Sequence, residues 1–338
     1  PDWLLRGRFR QPVNAGFIWN TFTTALDLSH PDALDYAAST VDTAVHEWGF
    51  SYLKLDFLYA GALQGSRANK TLTRAQILRH ALVELRDRAG DNTILVGCGC
   101  PLGSAIGIAD MMRIGPDVAP QWTPTYLNNQ FFFHPEPSMP SARNALQNTV
   151  SRAFMHKRWW LNDPDCLLLS DASDLTPEEV QTLATIIGMS GGALLLSDQL
   201  QNLPLERLRF AEVILPVIGK TPRVLDWFDR ASPQHLRIDL ENCTGAWHLL
   251  TFVNWQDTTQ DMLFSPEEFG LNNSKRYLLA DFWNERQYVS GKEGITFPGI
   301  APHGVLVLAA RSLTEGIPQF TGSNLHLSQG LEIACWQW

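Results

Sequence analysis

The sequence predicts an α/β fold: a (β/α)8-type TIM barrel without its first strands over residues 1–219, then an antiparallel β-sandwich over 220–338. Three observations carry this. Short apolar runs alternate with helical patterns from Thr21 to about Leu200, nearly every run ends in a charged or reactive residue before a loop, and helical periodicity almost vanishes after about Lys220.

The apolar runs are Phe22–Leu28, Tyr52–Leu58, Thr93–Gly97, Met111–Ile114, Trp159–Leu161 with Cys166–Leu169, and Ala193–Leu196. Between them, Thr73–Ala89 repeats Ile77, Leu78, Ala81, Leu82 and Leu85 at helical spacing, with Glu84 and Arg88 paired at i,i+4 on its outer side. Asp42–Trp48, Ala142–Met155 and Pro177–Met189 read as helices too. Thr176-Pro177 starts the last of these well, with a capping hydroxyl, proline in the first turn, and Glu178 and Glu179 at the positive end of the dipole. Apolar strands separated by helices mean a parallel sheet covered on both faces. Closure into a barrel is read from the strand ends: Asp27, Lys54 and Asp56, Cys98, Arg113 and Asp117, Asn162 with Asp163 and Asp165, and Ser197 with Asp198. Polar residues end any strand, because loops are wet, but a succession of them is better explained by one shared mouth. About six strands are visible, so a full barrel lacks about two at its amino end. The chain opens on Pro1 rather than Met and in mid-motif, so it reads as a fragment.

Beyond Lys220, strand-like runs follow one another at Val224–Phe228, Leu236–Leu240, Trp247–Val253, Met262–Phe264, Tyr277–Phe282, Gly294–Phe297 and Val305–Ala309, and Gly322–Trp338 reads as one more hairpin.

A net charge of −9 and a pI near 5.5 argue against nucleic acid and anionic membrane surfaces as partners. No apolar run reaches the length of a membrane span and no secretion signal opens the chain. Five cysteines, an odd number, suit reduced thiols in a cytoplasmic protein better than a disulfide framework. Three Asn-x-Ser/Thr matches, at Asn69, Asn242 and Asn272, are expected by chance in a chain this long. No Gly-x-Gly-x-x-Gly turn follows a strand, which disfavours a dinucleotide, and Cys98 and Cys100 lack the further ligands a zinc site needs. Neither a cofactor nor a metal is expected. Twelve Trp and six Tyr suit a sugar-binding surface, although most of the indoles serve equally well as core.

Alternation along the strand beginning Tyr52-Leu53 puts Lys54 and Asp56 on one side, with Leu55 on the other. An aspartate beside an ammonium group stays ionised and can act as a nucleophile, and it can equally be one half of a buried ion pair. Arg113-Ile114-Gly115-Pro116-Asp117 ends a later strand in a Gly-Pro turn that leaves Asp117 on a loop, as a mobile acid or as a turn-capping aspartate. Retaining glycosidases need two carboxyl groups roughly 5–5.5 Å apart, which two strands of one barrel with a single strand between them can supply. Cys98, on that middle strand, lines the pocket or fills space. Asp163 and Asp165 suit support of Lys54 or Arg113, or bonds to sugar hydroxyls. Trp122 is a stacking platform or a core residue.

Together, Tyr52-Leu53-Lys54-Leu55-Asp56-Phe57-Leu58, Gly97-Cys98-Gly99, Arg113-Ile114-Gly115-Pro116-Asp117 and Trp160-Leu161-Asn162-Asp163-Pro164-Asp165-Cys166 resemble the melibiase-like α-galactosidases of glycoside hydrolase family 36. The likeness runs from Pro1-Asp2-Trp3 through Ser197-Asp198. It continues loosely in Phe252-Val253-Asn254-Trp255, Asp281-Phe282-Trp283 and Gly322-Ser323-Asn324-Leu325-His326. The resemblance implies hydrolysis of terminal α-galactosides with retention, Asp56 being the nucleophile and Asp117 the acid/base. Lys54, Cys98, Arg113, Asp163 and Trp122 fall at substrate-contacting or supporting positions. It implies α-galactoside oligosaccharides as partners and allows for a homo-oligomer. The family's amino-terminal β-domain and first barrel strands have no counterpart here. A transglycosylase like the raffinose-synthesising relatives and an α-N-acetylgalactosaminidase share this chemistry. A noncatalytic sugar binder is disfavoured by the presence of both carboxylates. A metal-dependent barrel enzyme is disfavoured because His46, His80 and His156 lie in helical stretches.

Overall fold

A computed structural model describes residues 2–18, 20–125 and 136–337. Pro1 of the opening motif and Trp338 of the last predicted hairpin lie outside them. The chain forms two compact units: residues 1–113 with 159–161, and residues 114–158 with 162–338. The change of texture near residue 220 falls inside the second unit.

In the first unit, strands β1 (Asn14–Ile18) and β2 (Thr21–Thr24) precede helix α1 (Pro31–Asp42), which continues as a π-helical turn over Thr43–Glu47. Strand β3 (Tyr52–Leu55), helix α2 (Arg74–Ala89), strand β4 (Ile94–Gly97), the short helix α3 (Leu102–Ala105) and strand β5 (Met111–Arg113) follow. The strands β3, β4 and β5 pair in parallel, Leu53 beside Leu95 and Val96 beside Met111. Leu161, the first residue of β6 (Leu161–Asp163), donates to the Asp110 carbonyl at 2.8 Å. Helix α2 starts at a reciprocal capping box between Thr73 and Gln76 and buries the predicted stripe, with Arg88 bonded to Glu84 at 3.3 Å on the other side.

The run Phe22–Leu28 is not a strand of the parallel sheet. Its first residues pair antiparallel with β1, where Phe17 and Phe22 stand opposite each other, and Asn20 takes the left-handed conformation (φ 60°) that a hairpin turn asks for. Its end is held by bonds local to the unit. Leu26 bridges Leu4, and the buried Asp27 accepts from Ser29 and from the Ala68 amide, with Arg67 3.6 Å away.

The second unit begins after β5. It comprises α4 (Ala142–Ser151), the remainder of β6, β7 (Cys166–Leu167), α5 (Pro177–Ser190), β8 (Leu195–Leu196), α6 (Leu205–Glu212) and the strands β9 (Arg223–Val224), β10 (His235–Asn242), β11 (Gly245–Val253), β12 (Gln260–Phe264), β13 (Tyr277–Asp281), β14 (Arg286–Val289), β15 (Ile295–Ile300) and β16 (Val305–Ser312). The pair β7–β8 is parallel. Six strands make an antiparallel sheet in the order β14-β13-β16-β11-β10-β9, and β12 pairs with β15 as a second, smaller one. Strand β16 is apolar from Val305 to Ala310 because both its faces are covered there. Val305, Val307 and Ala309 share a core with α5, whose Val180, Leu183 and Ile187 face it, while Leu306, Leu308 and Ala310 pack with Phe264, Phe269 and Phe297. Because α5 and this sheet share one core, compactness groups them.

The predicted terminal hairpin is absent: among its described residues there is no strand. Side chains satisfy its backbone instead. Ser328 and Leu331 amides donate to His326 and Ser328, the Gly330 amide donates to Glu332, and the Trp247 indole donates to the Ser328 carbonyl. No helix of the described residues is long and apolar enough to cross a membrane.

Candidate active site

In the first unit the end of β3 meets the end of β4. The register sets Leu55 beside Gly97, the Cys98 amide donates to the Leu55 carbonyl at 2.9 Å, and the Leu58 and Tyr59 amides return bonds to the Cys98 and Gly99 carbonyls. Lys54 and Asp56 are exposed, as their shared parity along β3 requires, whereas Cys98 and Arg113 are buried. Burial and the nearby Asp56 carboxylate push the Cys98 pKa up to about 12 against the pull of the Lys54 and Arg113 charges, so the thiol stays neutral at physiological pH. Sequence reasoning named all four residues; that the thiol lies beside the carboxylate is new.

The chain then bends sharply. Phe57 adopts left-handed dihedrals (φ 54°, ψ 28°), and its amide donates to Asp56 Oδ1 at 2.6 Å. Gly99, also left-handed, lies where a Cβ would sit 3.4 Å from the Phe57 backbone. A non-glycine residue in this region costs of order 1–3 kcal/mol, and such strain gathers where a side chain must be aimed. No feature of the sequence pattern announces Phe57.

In the second unit Asp117 is exposed on its loop, and the next residue is anchored: the Val118 amide donates to Asp165 Oδ2 at 2.7 Å. Asp165 is itself left-handed (φ 80°) and buried, with its amide donating to Asp163 Oδ1 at 2.8 Å, and the Ile114 amide bonds the Asp163 carbonyl. Asp163 and Asp165 thus brace the loop that carries Asp117, a contact different from the support of Lys54 or Arg113 weighed for them. Asn162 is fully engaged in the same brace, its amide donating to His156 Nδ1 and its side chain to the Arg152 carbonyl.

Trp122 takes the core role. It is 6% exposed, its ring stacked with Trp255 (6.2 Å) and His303 (4.5 Å), which leaves no open face for a sugar. His303 binds Glu179 at 2.6 Å and Asp257 at 2.8 Å, so α5 helps fix the indole. Two strand-end residues, Asp27 and Asp198, serve local structure: Asp198 accepts from the Leu169 and Ser170 amides. Among the described residues no three His, Cys, Asp or Glu side chains gather as a metal site, and no cysteine is in a disulfide.

An α/β unit with polar groups at the carboxyl ends of parallel strands, and a second unit ending in a double-layered antiparallel fold, is the class of architecture found in solved α-galactosidases. No family model matches the sequence. The structure is similar to the α-galactosidase of Thermus thermophilus in complex with p-nitrophenyl α-D-galactopyranoside, at 33% identity and a TM-score of 0.55 over 70% of this chain and 46% of that one. The same enzyme with stachyose matches at 35% identity and 0.53, over 64% and 45%. The chain therefore spans somewhat under half the length of that enzyme. α-Galactosidase I of Mortierella vinacea shares the fold at 16% identity, with a TM-score of 0.61 over 91% of this chain and 76% of that one.

Proposed function

We propose that the chain is the catalytic part of a retaining α-galactosidase of the family 36 type. In this reading the parallel strands are part of a barrel wall over 1–219, and the β-sandwich over 220–338 is a separate domain. Asp56 attacks the anomeric carbon of a terminal α-galactoside, while Asp117 gives its proton to the departing glycosidic oxygen. Asp117 then takes a proton from water, whose oxygen attacks the anomeric carbon and frees Asp56, and the sugar leaves with its configuration retained. Lys54 and Arg113 supply positive charge for substrate hydroxyls and for the nucleophile. The observation that carries the reading is the exposed Asp56, held by the Phe57 amide at a parallel strand end beside the buried, neutral Cys98 thiol. The 33–35% likeness to an enzyme solved with α-galactosides points the same way.

A 2-deoxy-2-fluorogalactosyl fluoride tests it, because the fluorine slows release of the covalent intermediate. Peptide mapping should find the label on Asp56. Asp56→Ala should abolish turnover, while Asp117→Ala should spare the first step for activated aryl galactosides, which need no proton. A label on any other carboxylate rejects the assignment. Product analysis with and without a sugar acceptor separates hydrolysis from transfer.

A further inference from the structure

Two stretches that this chemistry leaves unused, Asp281-Phe282-Trp283 and Gly322-Ser323-Asn324, meet around one cavity of about 260 Å³ in the second unit. Asp281, Glu285, Arg286, Ser323, Asn324 and Gln329 are among its polar lining. The cavity is built rather than incidental. Gln329 is 1% exposed, and its amide nitrogen has no hydrogen-bond partner. Leaving a buried donor unmatched is costly unless something arrives to accept from it. Gly322 keeps the space open, since a Cβ there would come within 2.8 Å of the Ala280 Cβ and 2.9 Å of Gln329 Oε1.

The polar groups are already held. The buried Asp281 carboxylate accepts from the Asn284 amide and side chain, Asn324 Nδ2 donates to Glu285 Oε1 at 3.0 Å, and Arg209 bonds the Asn324 carbonyl at 2.9 Å and stands 3.8 Å from Glu285. The two carboxylates, Asp281 and Glu285, balance the two guanidiniums, Arg209 and Arg286, so an ion of either sign meets a like charge. Donors and acceptors both line the cavity, which suits groups that both donate and accept. Hydroxyls do so. The volume lies just below the ~300–1,000 Å³ range of pockets for drug-sized ligands.

We propose that this cavity is a second saccharide site that takes one ring of a neutral oligosaccharide, built from residues other than those of the Asp56 and Asp117 chemistry. It does not depend on Asp56 being the nucleophile, so the two readings fail separately. The test is calorimetric titration with stachyose in an Asp56→Ala background, chosen so that the probe is not consumed, with chromatography of the sugar to verify that it is intact. Two binding events are expected. Arg286→Ala and Asn324→Ala, both at exposed positions, should each weaken one event at least tenfold and leave the other unchanged. In the otherwise natural protein, kcat/KM for p-nitrophenyl α-galactoside should stay within twofold. Gln329→Leu should remove the same event, and the two exposed variants decide the matter if Gln329→Leu does not fold. A single event that both exposed variants weaken counts against the Asp56 site and not against the cavity; the absence of any event that either exposed variant weakens overturns the cavity site. Slow cleavage of stachyose by Asp56→Ala would count against the nucleophile and not against the cavity, and titration with D-galactose then gives the binding readout.

Discussion

Replacing Asp165 should loosen the loop that carries Asp117 by an amount that follows from its surroundings. The carboxylate receives the Val118 amide at 2.7 Å, the residue is 7% exposed, and its backbone sits at φ 80°. Asp165→Ala removes a hydrogen bond to a charged group, worth about 1.5–3 kcal/mol. It also puts alanine where a left-handed backbone costs roughly 1–2 kcal/mol and where aspartate has local compensation. The sum is about 2.5–5 kcal/mol of lost stability. Asp165→Gly loses the same bond without the steric penalty and should lie about 1 kcal/mol above the alanine variant. Asp165→Asn keeps a neutral acceptor and tolerance of the left-handed region, so about 1 kcal/mol should be lost. Urea unfolding midpoints for the four proteins measure the series, with the order natural, Asn, Gly, Ala. Turnover of a galactoside with a poor leaving group should fall in the same order, because the loop carries Asp117, the proposed proton donor. An alanine variant within ~0.5 kcal/mol of the natural protein, or a glycine variant weaker than alanine, would refute the bracing argument.

Cys98→Ala should lower kcat/KM about fivefold, equivalent to ~1 kcal/mol, because the buried thiol lies beside Asp56, the proposed nucleophile; unchanged kinetics would remove the thiol from the site. Because the Cys98 pKa is pushed up to about 12, iodoacetamide at pH 8 should label the exposed Cys243 and Cys335 and spare Cys98, as read by peptide mass spectrometry. Gly192→Ala should cost about 3 kcal/mol in urea unfolding, since a Cβ there would lie 2.2 Å from the Asn162 carbonyl oxygen. His156, whose Nδ1 accepts from the Asn162 amide, has its pKa lowered by burial and by Lys157. A lowered pKa means that its contribution is present above the unfolded value near 6.5 and is lost as pH falls through the folded value. Stability should thus decline on acidification below about pH 6.5, and less so in His156→Asn; an equal decline in both would exclude this histidine as the cause.

What was legible in the sequence was local. The parity of Lys54 and Asp56 put both side chains on one exposed side of β3, and the stripe of α2 with its capping Thr73 is as the spacing requires. Short strands at Thr93–Gly97 and Met111–Ile114 needed only their apolar runs and the turns beyond them. Partner choice was not legible. Phe22–Leu28 is as apolar as the runs that became parallel strands, yet Asn20 allows it a hairpin with its own upstream neighbours, and a short antiparallel pair closes at less entropic cost than a crossover. Asp27 and Asp198 share composition and position with Asp56, but nearby backbone amides claim their oxygens.

The two aspartates assigned to catalysis differ from those two in how they are held, not in residue type. Asp27 and Asp198 accept from several backbone amides and so serve as caps. Asp56 is bonded by the amide of the very next residue, which aims the carboxylate while leaving it exposed. Asp117 lies on an exposed loop whose next residue, Val118, is anchored through its amide. Both devices need left-handed residues, Phe57 in one and Asp165 in the other, where the sequence alone gives no reason to expect one. Strained left-handed residues thus lie next to both aspartates assigned to catalysis, Phe57 beside Asp56 and Asp165 behind the Asp117 loop.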